Sequence, residues 1–258
     1  MEKHIFKKKY GQNFLNDQNI LNKIANSIEP SENDLIIEIG PGSGNLTKHL
    51  QKYDCNILCY EIDTSLKERL NTIKNDKTTI LYKDFLDANI AEDIINIPHK
   101  NIYVVANIPY YITTPIIEKL TLSDIKINSL TLMMQKEVGE RLTAKPKTKE
   151  YGYITVFLNY FYNIQKLFDV SKNAFYPKPN VDSVVLKFIT KEIPKGNFEK
   201  FNSLIKSAFQ FKRKNLKNNL YKYDLKKIEH ILEEDGYSLN NRAEDIPLET
   251  YLKIIDKI

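Results

Sequence analysis

Long apolar runs are missing from this 258-residue chain. None comes near the ~18 consecutive apolar residues of a membrane span, so a soluble protein with no membrane partner is expected. The basic stretch Met1 to Tyr10 lacks an apolar core and a small-residue cleavage site. No secretory signal is therefore visible, and a cytoplasmic location is expected. Cysteine is scarce: Cys55 and Cys59 are the whole complement. On one strand they would stand about 13 Å apart, too far for a disulfide. With so few Cys and His nearby, no zinc site can be assembled and no metal is expected. Internal repeats and low-complexity tracts are missing as well.

What is present is enough apolar content, 42%, to fill one large domain, or one domain with a small satellite. The net charge of +5 is a mild excess, and its distribution is more informative. Basic residues gather at Lys7-Lys8-Lys9, at Lys145, Lys147 and Lys149, and at Lys212-Arg213-Lys214 with Lys217. Acidic residues concentrate elsewhere, as in Glu233-Glu234-Asp235. Separated basic clusters suit a polyanion. By itself this favours nucleic acid only slightly over a plain solvated surface.

Gly11 to Leu15 reads as a polar turn with two apolar anchors, before a helix capped at Asn16-Asp17. Five apolar runs then read as strands: Leu35 to Ile39, Asn56 to Ile62, Thr78 to Tyr82, Ile102 to Ala106 and Ser129 to Met134. Helical spacing follows the first two, from about Asn45 and from Asp63 to Ile73. This alternation implies an α/β fold, a Rossmann-like parallel sheet with helices on both faces. Two later strands, Ile164 to Val170 and Ser183 to Ile189, flank Phe175-Tyr176-Pro177-Lys178-Pro179 and suggest a hairpin. From Phe198 the spacing is helical, so a small all-α domain closes the chain. The expected domains are 1–190 and 191–258.

Open parallel sheets bind ligands beyond the carboxyl ends of their strands. Gly40, Glu61, Asp84 and Asn107 all fall there. Gly40-Pro41-Gly42-Ser43-Gly44 matches neither the dinucleotide fingerprint nor a triphosphate loop. It can admit a ligand to the backbone, or be a purely structural turn. Glu61 can accept from ribose hydroxyls, or be a surface residue at a strand end. Asp84 can accept from an adenine amino group, or cap a helix. Three such residues at successive strand ends favour an adenosine-bearing cofactor. Asn107-Ile108-Pro109-Tyr110 can grip a planar amino group, with acceptors at Asn107 and the Ile108–Pro109 backbone and a stacking face at Tyr110. An Asn-x-Pro turn with a packed tyrosine fits these four residues equally well.

Glu38 with Gly40 to Gly44, and Asn107 to Tyr110, resemble class I S-adenosylmethionine-dependent methyltransferases acting on amino nitrogens. Gly11 to Leu15, Gln135 to Leu142, Ala144-Lys145-Pro146, Lys149 to Gly152 and Phe175-x-Pro177-x-Pro179-x-Val181-Asp182-Ser183 resemble the ribosomal RNA adenine N6-dimethyltransferases. The resemblance is to the branch modifying two adjacent adenosines near the 3′ end of 16S ribosomal RNA, and it runs over nearly the whole chain. It implies S-adenosylmethionine as methyl donor, held by Asn13, Leu15, Gly40, Glu61, Asp84 and Asn107. It also implies that Asn107, Ile108 and Pro109 hold the target N6 while Tyr110 and Phe175 sandwich the flipped adenine. The partner implied is 16S ribosomal RNA in the immature small subunit, bound by a monomer. The basic residues expected on its phosphates are Lys212, Arg213, Lys214 and Lys217. Two alternatives stand beside this reading: a 23S ribosomal RNA adenine N6-methyltransferase conferring antibiotic resistance, and a mainly non-catalytic ribosome-assembly factor.

Overall fold

The structure is a computed structural model that describes residues 13–109, 112–192 and 198–258. Two compact units divide the chain. The first comprises residues up to Gly139 with Gln165–Thr190, and the second Glu140–Ile164 with Lys191–Ile258.

The first unit is built on a seven-stranded sheet. Its strands are β2 (Leu35–Ile39), β3 (Asn56–Tyr60), β4 (Thr78–Leu81), β5 (Ile102–Asn107), β6 (Ser129–Gln135), β7 (Tyr162–Val170) and β9 (Ser183–Thr190). Spatial order is β4-β3-β2-β5-β6-β9-β7. Pairing is parallel from β4 through to β6, and β9 runs antiparallel to β6. Every residue of β2 is buried, as expected of a central strand covered on both faces. Helices lie on both sides of the sheet, so the Rossmann-like class expected from the alternation is the one found. They are α1 (Gln18–Ala25), α2 (Asn45–Leu50), α3 (Lys67–Asn71), α4 (Ile90–Ile94), α5 (Thr113–Thr121) and α6 (Lys136–Leu142), which leads towards the second unit.

The chain leaves β2 towards β3 and β4, then returns to the other side of β2 for β5 and β6. Connections at the carboxyl ends of β2 and β5 therefore part in opposite directions and open a crevice. One feature was not legible locally. Phe14 and Leu15, expected to anchor a turn, form β1 (Phe14–Leu15) and pair antiparallel with β8 (Phe175–Tyr176). That pairing joins segments some 160 residues apart. The helix expected from Asp63 to Ile73 is a 3₁₀ turn, Thr64–Leu66, followed by the short α3.

The second unit holds α7 (Tyr153–Phe161), α8 (Phe198–Ala208), α9 (Leu216–Asn219), α10 (Leu225–Glu234) and α11 (Leu248–Lys257). Residues 140–164 were expected in the first domain, yet they pack here. Aromatic contacts explain it: Tyr160 stacks on Phe201 with ring centroids 4.3 Å apart, and Phe157 meets Phe198 edge-on. The buried Tyr151 hydroxyl also donates to the Ile246 carbonyl at 3.2 Å. Among the described residues no helix is long and apolar enough to cross a membrane.

Asp34 sets where β2 and β5 begin. Its buried carboxylate accepts from the Ser31 amide and hydroxyl, at 2.8 and 2.9 Å, and from the Asn101 amide and side chain, at 3.0 and 2.8 Å. Burial pushes this carboxyl up, but the bonds from Ser31 and Asn101 outweigh it and hold the group below its ordinary value. A depressed carboxyl stabilises the fold above the unfolded value of roughly 3.9, and the benefit is lost as pH falls through that range. Asp34→Ala should lower unfolding free energy at pH 7 by about 3 kcal/mol, because four donors lose a charged acceptor. Urea unfolding checks this; an unchanged midpoint would contradict it.

Candidate active site

The crevice is organised by the turn that follows β2. Gly40 donates its N–H to the Tyr60 carbonyl at 2.9 Å, and Gly44 to the Pro41 carbonyl at 2.8 Å. Glu61, one residue past β3, is buried beside this turn. Its Oε2 accepts from the Gly42 N–H at 2.9 Å and its Oε1 from the Asp63 N–H at 2.8 Å. Burial raises the Glu61 carboxyl, and the bonds from Asp63 and Gly42 oppose that shift. A carboxylate offers about four acceptor sites, so Glu61 keeps capacity to accept from a ligand.

Two of the glycines carry distinct requirements. Gly42 has φ +56°, and a Cβ there would come within 2.7 Å of the Phe14 ring. Gly40 has φ +71°, and a Cβ there would meet nothing within 4 Å. Since Gly40 lines the crevice, that empty space is room into which a ligand can press against bare backbone. Arg69 supports the turn from α3, its Nε donating to the Ser43 carbonyl at 3.0 Å.

The opposite wall is Asn107-Ile108-Pro109 at the end of β5. Asn107 donates from Nδ2 to the Asn13 carbonyl at 3.3 Å, which leaves Oδ1 as the accepting end of the amide. Ile108 donates its N–H to Met133, and the Pro109 carbonyl accepts from Ile112 at 3.2 Å. The Ile108 carbonyl takes no hydrogen bond among the described residues. Two acceptors, Asn107 Oδ1 and Ile108 O, thus sit one residue apart on a proline-stiffened turn. β1 is tied to the glycine turn by Asn45, whose Nδ2 donates to the Leu15 carbonyl and to Asn16 Oδ1, both at 2.9 Å.

Of the residues singled out in the sequence, Asn13, Leu15, Gly40, Glu61, Asn107, Ile108 and Pro109 line this one crevice. Asp84 does not line it. Its Oδ1 caps the 3₁₀ turn Phe85–Asp87 by accepting from the Leu86 N–H at 2.9 Å, the helix-cap role weighed in the sequence. Phe175, expected to face an adenine, is only 5% exposed and packs in an apolar cluster with Leu15, Leu21 and Ile24. It sits opposite Leu15 in the β1–β8 pair. Tyr110 lies outside the described residues, as do Gly11, Gln12 and Lys7 to Lys9. Lys212, Arg213, Lys214 and Lys217 are exposed in the second unit. Sequence reasoning took Phe14 only as a turn anchor, Asn45 only as the start of a helix and Glu38 only as part of a motif. Asn45 opens the helix after the glycines, a signal that could have drawn attention to it. Among the described residues no group of three or more His, Cys, Asp or Glu could hold a metal ion.

Comparison with known proteins extends over nearly the whole chain. A family model described as ribosomal RNA adenine dimethylase matches residues 3–258. A ribosomal RNA small subunit methyltransferase A of Aster yellows witches'-broom phytoplasma is 39% identical, covering 98% of this chain and 96% of that one. Its namesake from Staphylococcus aureus is also 39% identical, covering 98% and 89%. Among solved structures, a dimethyladenosine transferase from Plasmodium falciparum superposes with TM-score 0.77 at 26% identity, over 93% of this chain and 95% of that one. The 23S rRNA methyltransferase ErmE gives 0.76 at 25%, over 95% and 99%.

One buried carboxyl in the crevice makes a pH signature. Glu38, in the middle of the sheet, accepts from the Thr47 hydroxyl at 2.6 Å and lies 3.6 Å from the Cys59 thiol. Burial pushes its carboxyl up to about 7; the bonds from Thr47 and Cys59 oppose this and the nearby Glu61 charge adds to it. A raised carboxyl costs nothing below its unfolded value, and the penalty grows as pH climbs from there through the folded value. Glu38→Gln should therefore gain stability over the parent by up to ~3 kcal/mol between about pH 4.5 and 8. Parallel stability–pH curves for the two proteins would contradict this environment.

Proposed function

The chain belongs to the ribosomal RNA adenine dimethylase family, and on that premise we propose that it dimethylates the N6 of two adjacent adenosines near the 3′ end of 16S ribosomal RNA. It acts as a cytoplasmic monomer on the immature small subunit, with S-adenosylmethionine as donor. The observation that carries this reading is the meeting in one crevice of the Glu61–Gly42 cradle and of Asn107 and Ile108, the residues that carry the acceptors Asn107 Oδ1 and Ile108 O.

S-adenosylmethionine supplies, when bound, a methyl group on a positively charged sulfur. The residues present fit such a ligand. Gly40 leaves space against bare backbone, Glu61 keeps acceptor capacity for ribose hydroxyls, and Asn13 and Leu15 close the crevice from β1.

An exocyclic purine amine is a poor nucleophile because its lone pair is delocalised into the ring. Accepting its two N–H groups at Asn107 Oδ1 and Ile108 O favours a pyramidal nitrogen with a localised lone pair. The stabilisation is greatest as positive charge develops on that nitrogen, so it lowers the barrier rather than merely binding substrate. Asn107 is already oriented by its bond to Asn13, which limits reorganisation during the reaction. Once methylated, the cationic nitrogen is acidic enough to release a proton without a dedicated strong base. Tyr110 stacks on the extruded adenine. Phe175 acts from its buried place behind Leu15, supporting the wall of the adenine pocket rather than offering an exposed face.

A second reading, methylation of 23S ribosomal RNA, draws on a structural similarity to ErmE nearly equal to that of the Plasmodium falciparum enzyme. The 39% identity to small-subunit enzymes over 98% of the chain favours the first. Mapping methylated adenosines in both rRNAs after gene deletion separates them. Loss of both adjacent dimethyladenosines from the small subunit is expected, and their persistence would refute the assignment. Asn107→Ala should reduce methyl transfer to immature subunits at least ~100-fold while RNA binding persists. Unchanged methylation by that variant would remove Asn107 from the mechanism.

A further inference from the structure

The second unit carries a stretch, Phe211 to Lys222, whose apolar residues divide into two groups. Leu216 and Leu220 are fully buried, whereas Phe211 is 53% exposed and Tyr221 63% exposed. An exposed aromatic is ordinary by itself. These two share their setting with five basic residues, Lys212, Arg213, Lys214, Lys217 and Lys222, and with no acidic residue between Gln210 and Tyr223. Among the described residues none of the five pairs with a carboxylate.

Local bonds keep the backbone at Phe211 close to the segment that carries Tyr221. The Phe211 carbonyl accepts from the Lys214 N–H at 2.9 Å. The buried Asn219 reaches the same carbonyl at 3.3 Å and that of Ala208 at 2.6 Å. Tyr221 follows Asn219 by two residues, about 7 Å of chain. Lys222 places its Nζ over the Tyr221 ring, 5.6 Å from its centre, which sets a positive charge against the aromatic.

From this we infer that Phe211 and Tyr221 are stacking platforms for unpaired bases of ribosomal RNA, seated among cations that hold the adjoining phosphates. The inference rests on the ribosomal RNA reading above and adds to it a substrate class, single-stranded rather than duplex RNA. Duplex RNA presents phosphates and 2′-hydroxyls but hides its base faces, so aromatics add little to its binding. Every unpaired base offers a π-face, so such platforms bind strands without reading sequence. The unneutralised cations select RNA over an apolar protein partner.

The test measures binding of the full chain to a single-stranded RNA of about twelve nucleotides and to the matching duplex, across a salt series. Phe211→Ala and Tyr221→Ala should each weaken single-strand binding roughly tenfold at every salt concentration and leave duplex binding within about twofold. The slope of log affinity against log salt should not change in these variants, whereas Lys214→Ala should flatten it by about one phosphate contact. Phe211→Trp should bind like the parent and Phe211→Leu like the alanine variant. Parent-like binding by Phe211→Leu would overturn stacking. Aromatic variants that bind normally while Lys212→Ala and Lys214→Ala bind poorly would overturn this inference and leave the ribosomal RNA reading standing. A parent protein that binds neither RNA would bring down both. Full retention on naked RNA with loss on immature subunits would put a protein on the patch and also overturn the inference.

Discussion

The crevice depends on one hydrogen bond, from the Gly42 N–H to the buried carboxylate of Glu61. It ties the loop after β2 to the end of β3, and the second carboxylate oxygen draws in the Asp63 amide as well. A buried carboxylate without partners would be costly; two backbone donors make this one tolerable and fix its direction. The glycine turn follows from it. Gly42 must bring its backbone to Glu61 while the Phe14 ring lies against the position of a Cβ, and no other residue type satisfies both.

Around that bond the first unit is over-determined. Phe14 belongs to β1, which is held on one side by β8 and on the other by Asn45. The same short strand leads from Asn13, whose carbonyl orients the Asn107 amide. The wall proposed to hold the methyl donor and the wall proposed to hold the target amine therefore share a strand. A disturbance of β1 should be felt at both, and this coupling explains why two residues of strand carry so many contacts. Phe175 fits the same logic, because burying it behind Leu15 stiffens the strand.

The sheet was legible because parallel strands buried on both faces appear as apolar runs with little ambiguity, and Leu35 to Ile39 is an instance. Glu61 and Asn107 were legible because strand ends in such sheets are where ligands bind. Asp84 illustrates the limit: a strand-end carboxylate and a helix cap have the same local signature, and the structure shows the cap. The β1–β8 pair was out of reach because its partners are far apart in sequence and each is two residues long. The same holds for residues 140–164, whose place in the second unit rests on aromatic contacts such as Tyr160 with Phe201. Periodicity reports that a helix has an apolar face, and not which neighbour covers it.

The central claim is that Glu61, held by the Gly42 and Asp63 amides, is the anchor for S-adenosylmethionine. Titration calorimetry of S-adenosylmethionine into the Glu61→Gln protein tests it most directly. The account predicts an affinity loss of at least about 100-fold, since the substitution replaces a charged acceptor by one amide oxygen and turns an N–H towards backbone donors. Thermal unfolding of the same sample, still cooperative, would show that the fold survives. Donor affinity equal to the parent's would contradict the account, because the cradle around Glu61 would then have no part in binding the donor.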